Sequence, residues 1–412
     1  MKTLHPTKSL KVLQPRYAAE FACVGPRCED NCCTGWTVHI DKKTFTAYRQ
    51  AQVAVLEERF SSQVRRIRSQ GSDARYARIE MSPGSAECPF LEDKLCSVQR
   101  EMGEDLLSNT CATYPRSTRW TGAYHEQGLT LSCPEAARLA LLDPQAMDFI
   151  EGTVHARADS VSPSAGHKGL SPELRNQIRI LCLQLIREEG LELWQKMAFL
   201  GVFCEQLSLK LKAAEFSRIP AVIEEFLQVL QSGAIAQALE AMQPDHFFQA
   251  ASFARLWQLK IAGRNSEVQA AVQQAVASGL GADPETHEVA VDTLVERYRQ
   301  GVQNLPQALE AAPFLLRNYV LNDMFNENFP FGEASPYDSY LKMVTRFGIV
   351  RLMLAAQCTD PAHYPDAAQM ARTVQVFCRR YQHDSGFAKK VHEAFDRTGM
   401  TSLEKIYRFL RT

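Results

Sequence analysis

The 412-residue chain carries almost no net charge, because 46 Lys and Arg stand against 47 Asp and Glu. A nucleic-acid binder ordinarily needs a basic surface to displace phosphate counterions, so that class loses its simplest support. No run of ~18 apolar residues occurs, and the apolar segment 347–356 is cut by Arg351, so no membrane span is expected. The first residues run into Lys8, Lys11 and Arg16 without the apolar core of a secretory signal, which makes the cytoplasm the expected compartment. No period of 20–50 residues recurs, which excludes a solenoid of recognisable repeats. There is also not one C-x2-C pair, the usual zinc knuckle. Otherwise, 45% apolar and 23% charged residues are ordinary for a globular chain with ample length for a core.

What the chain does have is cysteine in the wrong proportion. Eight of its twelve cysteines lie within residues 1–133: Cys23, Cys28, Cys32, Cys33, Cys88, Cys96, Cys111 and Cys133. In a reducing compartment, clustered thiols read as metal ligands before they read as disulfides. Their order is C-x4-C-x3-C-C, then C-x7-C-x14-C-x21-C. Thiolates are soft ligands that select zinc or iron–sulfur clusters. Four of them close a tetrahedral zinc site or hold the corners of a 4Fe–4S cubane. Adjacent Cys32 and Cys33 suit a zinc knuckle poorly, because neighbouring side chains diverge. Cys88-Pro89 and Cys133-Pro134 put rigid turns beside thiols, as recurs at iron–sulfur sites. These neighbours move the reading from zinc toward an iron–sulfur cluster, while eight thiols leave open two four-ligand sites or one site with further redox-active or packed thiols. Cys182, Cys204, Cys358 and Cys378 sit in apolar helical patterns and read as core.

The expected architecture is mainly α. A small, irregular, cysteine-rich N-terminal domain (1–150) precedes a multi-helix C-terminal domain (171–412). The Ser-, Gly- and Ala-rich stretch 151–170 is taken as the linker. Ser171-Pro172-Glu173 is a helix start, with serine as N-cap and proline at the first position. Apolar stripes at spacings of three and four then predict helices near 289–299, 306–325, 337–357, 367–382 and 402–410. In the N-terminal part, Asp41 caps a helix expected over 42–60, and the alternation in 36–40 suits a short strand. The loop 326–332 reads as a packed aromatic turn or a lid.

Four segments carry a resemblance: CVGPRCEDNCCTGWTVHIDKKTF (23–45), CPFLEDKLC (88–96), CATYPR (111–116) and LSCPEAARLAL (131–141). Together they resemble the bacterial flagellin lysine-N-methylase family, and more widely its cysteine-rich zinc- or iron-chelating module. The resemblance implies methyl transfer from S-adenosylmethionine to lysine ε-amines of flagellin. It also implies an iron–sulfur cluster on the N-terminal cysteines and a protein partner bound by the helical domain. Two departures keep the mechanism open. The glycine-rich strand–loop–helix turn of ordinary methyltransferases is missing, since Gly279-Leu280-Gly281 closes a helical stretch instead of opening one. A radical-type C-x3-C-x2-C is missing too: Cys28 and Cys32 have its first spacing, but Cys33 follows at once.

Direct methyl transfer needs a neutral amine, whereas a free lysine has a pKa of about 10.4. A group beside the entering amine must receive its proton. The polar residues next to the cysteines are the first candidates: Tyr114, Arg116 and Glu126 as catalytic groups, with Tyr124, His125 and Glu135 nearby. Their other reading is support, through hydrogen bonds that orient the cysteine loops. Trp36 and Trp120 read as packing around a metal centre, and the arginines at 65, 66, 68, 75 and 78 as a solvated face or an acidic partner's contact. Two further function classes compete: a metal-binding interaction or chaperone protein without turnover, and an iron–sulfur redox protein.

Overall fold

A computed structural model describes residues 4–233, 237, 239–258, 266–383, 386–398 and 402–412. Helices dominate, as the apolar stripes require. Ser171 Oγ accepts the Leu174 N–H at 3.2 Å to open helix Pro172–Arg187. Ser335 does the same for Asp338, at 3.1 Å, to open helix Pro336–Ala356. That second helix is buried nearly all round and forms the axis of the larger core. Its last residues are crossed by Gly301 and Gly279 of two neighbouring helices. A Cβ on either would collide with the carbonyls of Ala355 and Ala356, so glycine is what permits the approach.

Among the described residues, ten strands complete the fold. β1 (Thr7–Pro15) belongs to a five-stranded sheet. The smaller sheet holds β2 (His39–Ile40), β3 (Val64–Arg66) and β4 (Ala77–Ile79) in the order β2-β4-β3. β5 (Leu91–Glu92) and β6 (Leu95–Cys96) form a hairpin. β7 (Arg116–Trp120), β8 (His125–Leu129), β9 (Phe149–Arg157) and β10 (Ser162–Pro163) join β1 in the order β10-β7-β8-β1-β9.

Four local expectations change. Part of 151–170 is strand: β9 pairs antiparallel with β1 from Thr7↔Arg157 to Pro15↔Phe149, and β10 pairs with β7. The partner strand lies about 140 residues earlier, so local composition could not reveal the pairing. The helix expected over 42–60 breaks into Lys42–Gln50 and Ala54–Gln63. A straight helix would hold Tyr48 and Phe60 about 18 Å apart; the break stacks their rings at 4.2 Å. Pro306 lies in the last turn of helix Val291–Ala308, and the next helix begins only at Leu315. The strand expected over 36–40 is reduced to His39–Ile40.

The packing also divides the chain differently from its composition. A small core of Val38, Ile40, Tyr48, Phe60, Val64, Ile79, Phe90 and their neighbours stabilises the stretch from 38 to 107. Tyr17, Leu129, Leu131 and the helix Pro134–Leu141 instead share one core with the C-terminal helices. The candidate functional residues lie where these two cores meet.

Candidate functional site at the cysteine seam

The loop bearing Cys28, Cys32 and Cys33 is shaped by its own backbone and by its neighbour. Asn31 Oδ1 accepts the Cys33 N–H at 2.9 Å, and the Cys33 carbonyl accepts the Cys88 N–H at 2.7 Å. Gly35 donates to the Ala86 carbonyl, and Thr34 bridges Glu87. Cys88 and Cys96 bracket the β5–β6 hairpin. Cys111 lies on helix Asn109–Thr113, its N–H taken by the capping Ser108 at 3.2 Å. Cys133 is the N-cap of helix Pro134–Leu141.

Cys32 is the electrostatic neighbour of six other thiols: Cys28, Cys33, Cys88, Cys96, Cys111 and Cys133. Its hydrogen bond from Cys33, outweighing desolvation and helped by Arg379, lowers its pKa to about 7. The Cys33 thiol that gives this bond is shifted strongly upward. Burial pushes Cys88 up to about 11, and Cys111 and Cys133 to about 12. Cys23 is exposed at the start of the loop. Among the described residues, no three His, Cys, Asp or Glu side chains converge closely enough to hold a metal ion. The donor set is chemically suited to a thiolate-ligated centre, with its thiols gathered around Cys32 rather than meeting at one point.

The seam is closed from the C-terminal side by helix Ala367–Phe377 and the π-helical turn Cys378–Gln382. Arg379 donates to the carbonyls of Asp30 (2.7 Å), Asn31 (2.8 Å) and Thr34 (2.8 Å), so one guanidinium fixes the backbone on both sides of Cys32 and Cys33. It also lies 3.3 Å from the buried Asp30 carboxylate. Gln375 donates to Asp30 Oδ2 at 3.0 Å and to the Ser132 carbonyl at 2.9 Å, tying the first cysteine loop to the residue before Cys133.

Ser132 is the centre of a polar chain. Its Oγ lies 3.0 Å from the Tyr114 hydroxyl and 2.9 Å from His383 Nε2. Thr130 Oγ1 lies 3.0 Å from Ser132 Oγ and donates to Gln382 Oε1 at 2.9 Å. The Trp36 ring lies 5.4 Å from that of Tyr114 and 6.3 Å from that of His383, and its Nε1 donates to the Cys32 carbonyl. Burial raises the Tyr114 hydroxyl well above its ordinary pKa and lowers that of His383. The His383 residue itself is exposed, so its ring stands at the rim of this group with dense protein behind it.

Of the three catalytic candidates, Tyr114 sits in this group. Arg116 points its guanidinium over the Phe21 ring, 4.9 Å from the centroid, and stays exposed. Glu126 is buried against Arg179 and Arg119. It pairs with Arg119, three residues along β7 from Arg116, or about 10 Å. Glu135 pairs with Arg138. Trp120 is exposed beside His125, and the loop at 326–332 is a packed turn with Phe329 and Phe331 buried. Ser132, His383, Gln375, Arg379 and Asp30 escaped the sequence reading. Asp30, Ser132 and the stretch 375–383 lie about 100 to 350 positions apart, and of these residues Asp30 and Ser132 had cysteines close by in the sequence.

A protein-family comparison now bears on this geometry. The family described as the FliB lysine N-methylase C-terminal domain matches residues 179–409, a span that includes Gln375, Arg379 and His383. The chain is thus a lysine N-methyltransferase. More narrowly, the chain belongs to the FliB lysine N-methylase family. It is 26% identical over 407 residues to the lysine-N-methylase of Salmonella typhimurium, covering 95% of this chain and 97% of that one. The lysine-N-methylase of Salmonella choleraesuis matches equally. The flagellar biosynthetic protein FliU of Salmonella muenchen is 33% identical over 141 residues, which is 34% of this chain and 82% of that one. No solved structure matches the chain. Among the described residues, no helix is long and apolar enough to cross a membrane.

Proposed function

We propose that the chain transfers methyl groups from S-adenosylmethionine to lysine ε-amines of flagellin in the cytoplasm, beside a 4Fe–4S cluster held by N-terminal cysteines. The observation that carries this reading is the Tyr114–Ser132–His383 chain lying against the Cys32 loop. It gives an amine a hydrogen-bond acceptor and a neutral imidazole in one place. As the amine lone pair forms its bond to the methyl carbon, the carbon–sulfur bond of the donor breaks and S-adenosylhomocysteine leaves. The displaced N–H proton needs a route away. Tyr114 accepts a hydrogen bond from the amine, and Ser132 passes the proton on to His383, whose pKa the surrounding protein lowers. Trp36 supplies an aromatic face for the cationic donor or amine.

Four of Cys28, Cys32, Cys33, Cys88, Cys96, Cys111 and Cys133, with exposed Cys23 as an eighth candidate, would ligate the cluster. A cubane takes its ligands at separate corners, which suits thiols gathered around Cys32 better than a single ion does. Held there, such a cluster would supply an electron-rich, Lewis-acidic centre beside the Cys32 loop. The helical region 171–412 is assigned the protein substrate. Anaerobic purification should give about four iron and four sulfide per chain, the content of one cubane. Colourless protein with stoichiometric zinc would refute the cluster. Mass spectrometry of flagellin from cells with and without the protein tests the reaction, and unchanged lysine masses would refute it.

A further inference from the structure

The sheet β2-β4-β3 has two unlike faces. Ile40, Val64, Ala77 and Ile79 turn inward to the small core. Outward, the register sets His39 beside Arg78, and Arg78 beside Arg65. With neighbouring strands ~4.8 Å apart, these three side chains form a row about 10 Å long. Arg75 extends it, its guanidinium 3.4 Å from His39 Nε2. Arg65, Arg75 and Arg78 are all exposed. Like charges set directly opposite across a strand pair destabilise a sheet, and Arg65↔Arg78 is such a pair. Glu80 answers Arg78 at 2.8 Å, whereas Arg65 has no hydrogen-bond or ion-pair partner among the described residues. Arg66 lies over the Tyr76 ring at the edge of the same patch. A chain of net charge −1 therefore concentrates uncompensated positive field on one small face.

The size of the patch selects its partner. Tight binding of nucleic acid commonly draws on about 6–10 phosphate contacts, more than this row offers. Side chains on one face of an extended segment recur every ~7 Å, matching a row of this length. Arginine forks also pair carboxylates in bidentate geometry. We propose that the outer face of this sheet docks an acidic segment of the protein substrate, with Arg65, Arg75 and Arg78 as its contacts. The proposal rests on reading the chain as a protein-lysine methylase, and it names where that substrate is gripped away from the reacting amine.

The test uses the full chain and no methyl donor, so it stands apart from whether methyl transfer is observed. A fluorescein-labelled peptide with glutamate at alternate positions is titrated by anisotropy against wild type and R65E/R78E. Wild type should bind about tenfold more tightly, and the difference should vanish at high salt. R65Q relieves the opposed charges, so it should melt no lower than wild type and still weaken the peptide, which separates docking from folding. R49E, on helix Lys42–Gln50, should leave binding unchanged. Equal affinity for wild type and R65E/R78E would overturn the proposal, as would tighter binding of a single-stranded RNA of equal charge.

Discussion

Arg179 holds both carboxylate oxygens of Glu126 at 2.8 Å, and both side chains are buried. Arg119 stands 3.3 Å from the same carboxylate and donates to the carbonyls of Phe325 and Asn326, at the end of helix Leu315–Asn326. Glu126 thus ties β7, β8 and two helices of the larger core through one charge. Removing it leaves two arginines buried without their counter-ion, which costs about 3–5 kcal/mol. Glu126→Ala should lower the thermal midpoint sharply and lose activity only in step with folding. A variant that melts like wild type but no longer transfers methyl groups would make Glu126 a catalytic group instead.

Arg379 fixes the cysteine loop through three carbonyls, and hydrogen bonds to charged groups contribute about 1.5–3 kcal/mol each. Arg379→Ala should therefore free the loop locally without unfolding the helical core. Deuterium labelling of the backbone N–H groups of Cys33 and Gly35, followed by mass spectrometry, should accelerate about tenfold or more. Arg379→Lys should recover only part of the protection, because an ammonium cannot reproduce the planar fork. Labelling at the wild-type rate in Arg379→Ala would show that the loop holds itself.

Much of the architecture was legible locally. Ser171 and Ser335 precede proline and cap their helices as such sequences should, and Asp41 accepts from Thr44 N at 3.0 Å. The cysteine segments, far apart in sequence, adjoin in the fold, and Tyr114 lies among them. The sequence concealed whatever depends on long-range pairing. β9 reads as linker until β1 supplies its ladder, and Tyr17 joins the C-terminal core only because helix Leu315–Asn326 lies against it, where Asn322 donates to its hydroxyl. His383 and Arg379 sit in an ordinary helical stretch, and nothing local distinguishes them from a solvated face.

Tyr114 and His383 meet on one hydroxyl, that of Ser132, and should act as a unit. Tyr114→Phe keeps the ring against Trp36 and removes only the phenolic oxygen. It should cost about 1 kcal/mol of stability but lower kcat by about 10²–10⁴, the usual contribution of positioned proton transfer, with KM for the protein substrate little changed. His383→Ala should give a similar loss, and the double variant should be no worse than the more damaged single one. Multiplicative losses in the double variant would show that the two residues work separately.

Glu327 makes stability depend on acid. Burial opposes its ionisation, but Arg346 at 3.1 Å and Lys342 at 2.6 Å outweigh burial and hold its pKa at about 2, against an ordinary 4.5. A carboxylate depressed in the folded state stabilises it fully above pH ~4.5, and that contribution drains away as pH falls toward 2. The shift corresponds to at most about 3 kcal/mol. Asp323, 2.8 Å from the same Arg346, is shifted upward by burial and by the nearby Glu327 charge, so Glu327→Gln also eases its ionisation. The difference in thermal midpoint between these two proteins should accordingly be largest near pH 6 and shrink steadily from pH ~4.5 downward. A difference independent of pH would mean that Glu327 stabilises the fold through packing and neutral hydrogen bonds rather than through its charge.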